Sequence, residues 1–377
     1  MNKKILTIFL AIILICTLCI TIVACGDKDN NDDTNPNGEQ TDTPSTDTPA
    51  PDDGGSSPIE PSSSNLLFNL KTDDTYEVVG YTGEPISVVI PSTYNGKAVT
   101  SIGDKAFYIC LSLSSVTIPN SVTCIGDTAF FSCYRLVEVY NLSSLNITTG
   151  FSELNGFVGA YALDVYTSLD TPSKLTTESD GYIIYTNGEE KILINYIGSE
   201  TELTIPNSIS SIHHNAFIVN DTITSIVIPN TVTSIGDFAF CECTNLTNIV
   251  VPNSVTSIGD GVFRNCTSLT NIVIPNSITS IGDIAFYECY NLMSITIGSS
   301  VTSIGEIAFY DCYKLVEIYN LSSLTIEMGS DSNGYVGYYA WDIYTSLDTP
   351  SKLSTDSNGY IIYTNGAKKT LIGYTGC

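Results

Sequence analysis

The sequence predicts a repeat solenoid, mainly β-structure with short helical or 3-10 turns. Three residue types recur at a step of 23 residues: Pro206, Pro229, Pro252 and Pro275; Phe217, Phe240, Phe263, Phe286 and Phe309; Cys243, Cys266, Cys289 and Cys312. Whole units therefore repeat, and self-similarity at this period is typical of a solenoid whose units stack on their neighbours.

The unit that contains Pro252 begins with a predicted strand. Ile249 and Val251 alternate with Asn248 and Val250, as in a strand with one buried face, and Pro252 ends the run because it cannot donate to a ladder. Ile249 and Val251 are therefore expected to point inward.

The rest of this unit predicts a second strand and a turn. Val255 and Ile258 indicate the strand, Gly259 permits a turn, and Asp260 is expected to cap the next backbone N–H groups. Three inward positions follow at helical spacing: Val262, Phe263 and Cys266.

This pattern of strand, Pro, Ile-Gly, Ala-Phe and Cys resembles the bacterial surface leucine-rich repeats of the BspA type. The resemblance covers residues 88–142 and 202–321. It implies a solenoid displayed outside bacterial cells, often for adhesion to host proteins or other cells, and it names no ligand.

Composition and motifs exclude several function classes. The net charge is −26, with 14 basic against 40 acidic residues and no basic patch, so nucleic acid is not an expected partner. There is no nucleophile elbow, phosphate loop or dinucleotide fingerprint. We therefore expect no enzyme activity, no cofactor and no metal site.

The first residues resemble a lipoprotein signal. Lys3 and Lys4 precede an apolar run, and Ile-Val-Ala-Cys at 22–25 resembles a lipobox, so residues 1–24 are the predicted signal peptide and Cys25 the lipidation site. The alternative is an uncleaved signal anchor, since twenty apolar residues can span a bilayer. Either arrangement places the repeats outside the cytoplasmic membrane, inner or outer membrane undetermined.

Four further regions follow a polar, acidic segment at 25–64, which is predicted to be a disordered tether. Residues 65–142 hold a capping hairpin and a first repeat block, and residues 201–321 hold a second block. Two insertions, each with a β-hairpin, occupy the regions 143–200 and 322–377.

The two insertions are a duplication. YTSLDTPSKL occurs at 166–175 and again at 344–353, and each copy continues into two strand patterns around Asn187-Gly188 or Asn365-Gly366. The second copy is predicted to be a C-terminal cap, with an early stop of the sequence as the alternative.

One slot of the repeat holds Cys110, Cys133, Cys243, Cys266, Cys289 and Cys312, and Asn220 fills it once. We interpret these as buried thiols that satisfy backbone groups, although disulfides between rungs stay open. Three cysteines lie off this ladder and are expected to be exposed: Cys124, Cys241 and Cys377.

A column of carboxylates follows Ile-Gly: Asp104, Asp127, Asp237, Asp260 and Asp283. Turn capping explains this column better than calcium, because neighbouring carboxylates about 5 Å apart in water repel by only about 1 kcal/mol. His213 and His214 fill the Gly and Asp slots of one unit, and we interpret them as a tolerated turn variant because zinc ligands are missing nearby.

The outward strand positions form the candidate binding face, predicted to be concave. They lie in two columns with matching positions in the first block: Ser225, Asn248, Asn271, Ser294 and Glu317; Val227, Val250, Val273, Thr296 and Tyr319; Glu138 and Tyr140. The last residue of each column and the first-block pair break the uniformity, so Glu317, Tyr319, Glu138 and Tyr140 are the best predicted recognition residues.

Two function classes stay open. A surface adhesion or interaction module, with an extracellular protein or glycan as partner, predicts a patch that departs from the repeat. A structural spacer without a specific ligand predicts a face that is uniform from unit to unit.

Overall fold

The computed structural model describes residues 57–58, 65–150 and 153–374 of the chain. The predicted signal peptide, Cys25, most of the predicted tether and Cys377 lie outside these residues.

Short strands supply almost all the regular structure of the described residues. In chain order they are β1 (Ser57–Pro58), β2 (Leu66–Leu70), β3 (Tyr76–Tyr81), β4 (Ser87–Val89), β5 (Thr93–Tyr94), β6 (Lys97–Ile102), β7 (Ser115–Ile118), β8 (Cys124–Ile125), β9 (Glu138–Asn141), β10 (Asp164–Tyr166), β11 (Leu175–Thr177), β12 (Tyr182–Asn187), β13 (Glu190–Tyr196), β14 (Glu202–Thr204), β15 (Ser211–Ile212), β16 (Ser225–Val227), β17 (Ser234–Ile235), β18 (Asn248–Val250), β19 (Ser257–Ile258), β20 (Asn271–Ile274), β21 (Ser280–Ile281), β22 (Ser294–Ile297), β23 (Ser303–Ile304), β24 (Glu317–Asn320), β25 (Asp342–Tyr344), β26 (Leu353–Thr355), β27 (Tyr360–Asn365) and β28 (Lys368–Tyr374).

Each repeat contributes one rung with a longer and a shorter strand. Strands of successive rungs pair in parallel and in the register of the sequence repeat, as Ile226 does with Ile249 and Ser257 with Ser280. The solenoid prediction is confirmed.

The core between the strands is a column of stacked phenylalanines. Phe217, Phe240, Phe263, Phe286 and Phe309 are fully buried, and the ring centroids of neighbours lie 4.9 to 5.7 Å apart. Each rung thus buries its aromatic ring against the next, and a single rung has no such cover.

The predicted helical turns are not helices. Residues such as Phe238 and Glu242 have φ of 57° and 60°, in the left-handed region that interrupts a right-handed helix. The Phe238 and Phe240 N–H groups donate to carbonyls of the next rung, at Asp260 and Val262. These bonds between rungs alternate with single turns of the 3-10 type, such as the bond from the Cys241 N–H to Phe238 O, and the one 3-10 helix among the described residues is Leu154–Phe157.

The repeat does not lapse where the sequence pattern does. After residue 142 the chain makes a further rung, in which β10 pairs in parallel with β9 and the Phe130 N–H donates to Gly156 O. The second insertion does the same: β25 pairs in parallel with β24, and the Phe309 N–H donates to Gly334 O. The predicted boundaries at 142 and 321 are wrong because both insertions begin as irregular repeats.

The hairpins form near their predicted positions. β2 and β3 match the prediction, and β3 pairs in parallel with β6 as a cap should. In β12–β13, Asn187 pairs with Glu190, so the loop is Gly188-Glu189, one residue later than predicted. Gly188 has φ of 65°, which glycine adopts without strain.

One pair of residues in the predicted tether is ordered. Ser57–Pro58 forms the edge strand β1, antiparallel to β11. Proline is tolerated in an edge strand because it cannot donate to the ladder. The rest of the predicted tether lies outside the described residues.

Candidate functional site

The candidate binding face is exposed in the middle of the second block. Val227, Val250 and Val273 are exposed on adjacent strands, whereas Ile249 and Val251 are buried, as the alternation predicts. Asn248 and Asn271 are exposed beside the valines. The central part of the predicted face is therefore an open strip of valine and asparagine.

The four residues predicted to be best for recognition are buried. Glu138 and Glu317 have no exposed surface, and Tyr140 and Tyr319 keep less than a tenth of theirs. They are not available to a ligand in this structure, so the prediction of these ends as recognition sites is wrong.

The insertions cover these residues by folding back over the sheet. Glu138 accepts hydrogen bonds from the Ser173 hydroxyl and the Lys174 N–H, both at 2.7 Å. Glu317 accepts the equivalent pair from Ser351 and Lys352, both at 2.6 Å. Each glutamate fastens its insertion to the last rung of a block.

Burial changes the pKa of the covered pair in the first block, Glu138 and Tyr140. Burial raises the pKa of Glu138, which the hydrogen bonds from Ser173 and Lys174 partly offset. Burial also raises the pKa of Tyr140 to about 12, and its hydroxyl donates to Thr171 O at 3.4 Å. These groups serve packing within the fold.

The aspartate column is a ladder between rungs. The Asp260 N–H donates to Asp237 Oδ1 at 3.0 Å, and the Asp283 N–H donates to Asp260 Oδ1 at 2.9 Å. These two carboxylates therefore cap the next rung and not their own turn, which corrects the partner in the capping prediction. Burial raises the pKa of Asp260, and the charges of Asp237 and Asp283 add to this.

His214 takes the place of aspartate in this ladder. Its Nδ1 accepts the Asp237 N–H at 2.9 Å, which requires the tautomer with the proton on Nε2. The interpretation of His214 as a turn variant is consistent with this geometry. Among the residues that the structure describes, no three metal-binding side chains form a group.

The ladder cysteines are buried thiols that bond to backbone. Cys133, Cys243, Cys266, Cys289 and Cys312 donate to a carbonyl of the preceding rung at 3.0 to 3.2 Å. All cysteines in the described residues are free. The prediction of buried thiols on the ladder is confirmed. Of the cysteines off the ladder, Cys124 is exposed as predicted, whereas Cys241 is buried beside Phe238 and Ile218, so the prediction is wrong for Cys241.

A tyrosine surface on the turn side was missed at the sequence level. Its seven rings touch in one chain with centroids 4.9 to 5.8 Å apart: Tyr287, Tyr310, Tyr335, Tyr338, Tyr339, Tyr313 and Tyr290. The signal was present, because two pairs of these tyrosines lie one repeat apart.

The family follows from a match to known repeats. The model of the BspA type leucine rich repeat region matches residues 86–157 and 194–348 in six copies, more than half of the chain. The chain belongs to the BspA type leucine rich repeat family. The second matched range includes β25 of the second irregular rung, whereas the first range ends at residue 157, before β10.

Several solved structures of bacterial proteins are similar to this chain. A leucine rich cell surface protein from Faecalibacterium prausnitzii is 24% identical, over 75% of this chain and 98% of that chain, with a TM-score of 0.40. A leucine-rich repeat protein from Eubacterium ventriosum is 20% identical, over 79% and 97%, with a TM-score of 0.37. The pneumococcal vaccine antigen PcpA is 20% identical, over 64% of each chain, with a TM-score of 0.41.

A search of curated proteins finds no match to this chain. Within the described part of the chain, no helix has the length and apolar character needed to span a membrane.

Proposed function

We propose that this BspA-type chain is a non-enzymatic interaction module that acts outside the cytoplasmic membrane. The supporting observation is the strip of three exposed valines on adjacent strands, Val227, Val250 and Val273. These apolar side chains are not covered by the fold, so they are available to pack against a partner. The strip has no charge at its centre, which suits a polypeptide or glycan better than a polyanion.

The test of this proposal places charge on the strip. Lysine at positions 250 and 273 (Val250→Lys with Val273→Lys) is expected to abolish capture of an extracellular protein or glycan by residues 65–377 and to leave the circular dichroism unchanged. The matched control is Thr256→Lys with Thr279→Lys. These two exposed residues also lie one repeat apart, but they precede the shorter strands β19 and β21, away from the valine strip. Equal binding by both double variants contradicts the proposed face.

A second function, a structural spacer, has its own supporting observation. The residues expected to break the uniformity of the face are buried, so what is exposed changes little from rung to rung. If the protein is a spacer, no surface component binds residues 65–377. The two double-lysine variants then give the same result in the capture experiment, because the wild type binds no ligand.

For the location of the protein, we propose a lipid anchor on Cys25, which lies outside the described residues. Two or three acyl chains bind a membrane stably where one is marginal. Cys25→Ala is expected to release or mislocalise the protein. Identical membrane fractionation of variant and wild type, with no lipid on Cys25 by mass spectrometry, contradicts the anchor.

A further inference from the structure

The hairpin of the first insertion lies between the two repeat blocks. One face, with Ile183 and Ile194, shares an apolar cluster with Val137 of the first block. The other face, with Tyr182 and Leu193, belongs to the core of the second block. The second strand of the hairpin, β13, pairs in parallel with β15 of that block.

The first block contacts the second through its turn side as well. Tyr134 shares an apolar cluster with Ile218 and Phe238 of the second block. The buried Arg135 donates to the carbonyls of Asn215 and Ile218, at 3.2 and 3.3 Å. We call the residues that hold the second block in this way the first docking face: Tyr134, Arg135, Tyr161, Tyr182, Leu193 and Tyr196.

The second insertion presents the same surface again. At the equivalent positions lies the second docking face: Tyr313, Lys314, Tyr339, Tyr360, Leu371 and Tyr374. Its geometry matches, because the ring centroids of Tyr182 and Tyr196 lie 5.1 Å apart and those of Tyr360 and Tyr374 also lie 5.1 Å apart. Both hairpins have the same strand register.

The two docking faces differ in burial. The exposed fraction is 5% at Tyr134 against 54% at Tyr313, and 0% at Leu193 against 63% at Leu371. No described residue pairs with the outer edge of β28. A cap has a polar outer face, whereas this hairpin has an apolar outer face beside the tyrosine surface.

We infer that the second docking face binds a further BspA-type repeat block, which covers it as the second block covers the first docking face. The segment that occupies the first docking face shows what the occupant must offer. That segment is the short strand β15, which pairs with β13, together with the buried Ile209 and Ile212. Its Ser210 hydroxyl also bonds to the Lys191 backbone N–H and carbonyl, at 3.1 and 3.0 Å.

A second copy of this chain is a poor occupant. The strand of the first rung that would pair with β28 is already paired in each block, β6 with β3 and β15 with β13, so a copy offers no free strand of this kind. One feature of the face also differs: Lys314 replaces Arg135 and donates to Asn291 Oδ1, at 2.6 Å, within its own block.

The test extends the full chain after Tyr374 by a second copy of residues 197–374. Hydrogen exchange at the β28 amides is expected to slow by at least about tenfold relative to the unextended chain, because an open edge strand becomes a paired inner strand. Unchanged exchange, or an appended block that stays unfolded, overturns the inference.

Variants in the extended chain separate docking from folding. Leu371→Lys with Tyr313→Lys is expected to abolish the added protection and Leu371→Met to keep it. Both side chains are exposed in the unextended chain, so circular dichroism of that chain serves as the control.

Light scattering of the unextended chain tests the other occupant. We expect a monomer. A dimer that Leu371→Lys dissociates assigns the face to a second copy and overturns the inference. These measurements are independent of the valine strip, because lysine at 250 and 273 does not touch β28.

Discussion

The insertions at 143–200 and 322–374 share the segment YTSLDTPSKL and the same strand register, but only the first is enclosed on both sides. Leu193 is in the core between two blocks, whereas Leu371 at the equivalent position is exposed. The local fold of a hairpin therefore follows its own residues, while the stability that it contributes follows what packs on it. The comparison predicts which equivalent substitutions have different effects and which have the same effect.

The largest difference is expected for the leucine pair. Leu193→Ala removes a fully buried side chain from the core and is expected to lower the free energy of unfolding by about 2–5 kcal/mol. Leu371→Ala changes an exposed side chain and is expected to cost less than about 0.5 kcal/mol. Urea unfolding measures both, and equal losses contradict the difference between the hairpins.

A smaller effect, the same in both copies, is expected for the glutamates that fasten the insertions. Glu138→Ala and Glu317→Ala each leave a hydroxyl and a backbone N–H without their acceptor, at a cost of about 1–3 kcal/mol. Amide exchange at Lys174 and Lys352 is the measurement. A large effect at one glutamate alone shows that the two fastenings are not equivalent.

A pH effect is expected only at the first hairpin. Burial of the His213 imidazole, with smaller contributions from the charges of His214 and Arg135, lowers its pKa to about 4. The folded state therefore binds this proton less well than the unfolded state, so the stabilisation is complete above pH 6.5 and is lost as the pH falls towards 4.

Amide exchange measures this effect on β13, because the His213 N–H donates to Leu193 O at 2.9 Å. Protection of β13 is expected to fall between pH 6.5 and 5 while that of β28 does not. His213→Gly, which restores the residue of the neighbouring rungs, removes the step if His213 is its cause.

The smallest effect is expected for the two surface ion pairs. Lys174 lies 2.9 Å from Asp164, and Lys352 lies 2.9 Å from Asp342. The exposed fraction of the lysine side chains is 33% at Lys174 and 32% at Lys352, so water still screens both pairs, and Lys174→Met and Lys352→Met are each expected to cost less than about 1 kcal/mol in urea unfolding. A clear shift for Lys174 alone means that enclosure also strengthens the ion pair of the first copy.

The sequence by itself determined the rung. The recurrence of Pro, Phe and Cys located the strands, the stacked Phe263 and the buried Cys266, because every interior rung meets the same neighbours. Alternation also assigned Ile249 inward and Val250 outward. Periodicity is a reliable guide wherever the environment repeats along with the residues.

Only the tertiary structure decided what happens where the repetition ends. Glu317 and Tyr319 occupy outward positions and were predicted to be exposed, but the insertion folds back over them. Cys241 lies off the ladder, and its burial depends on the packing of one block against the other. Leu193 and Leu371 have almost the same local sequence, and a neighbouring block covers one of them. Burial depends on which segments come together across the fold, and this information is not contained in the period of the chain.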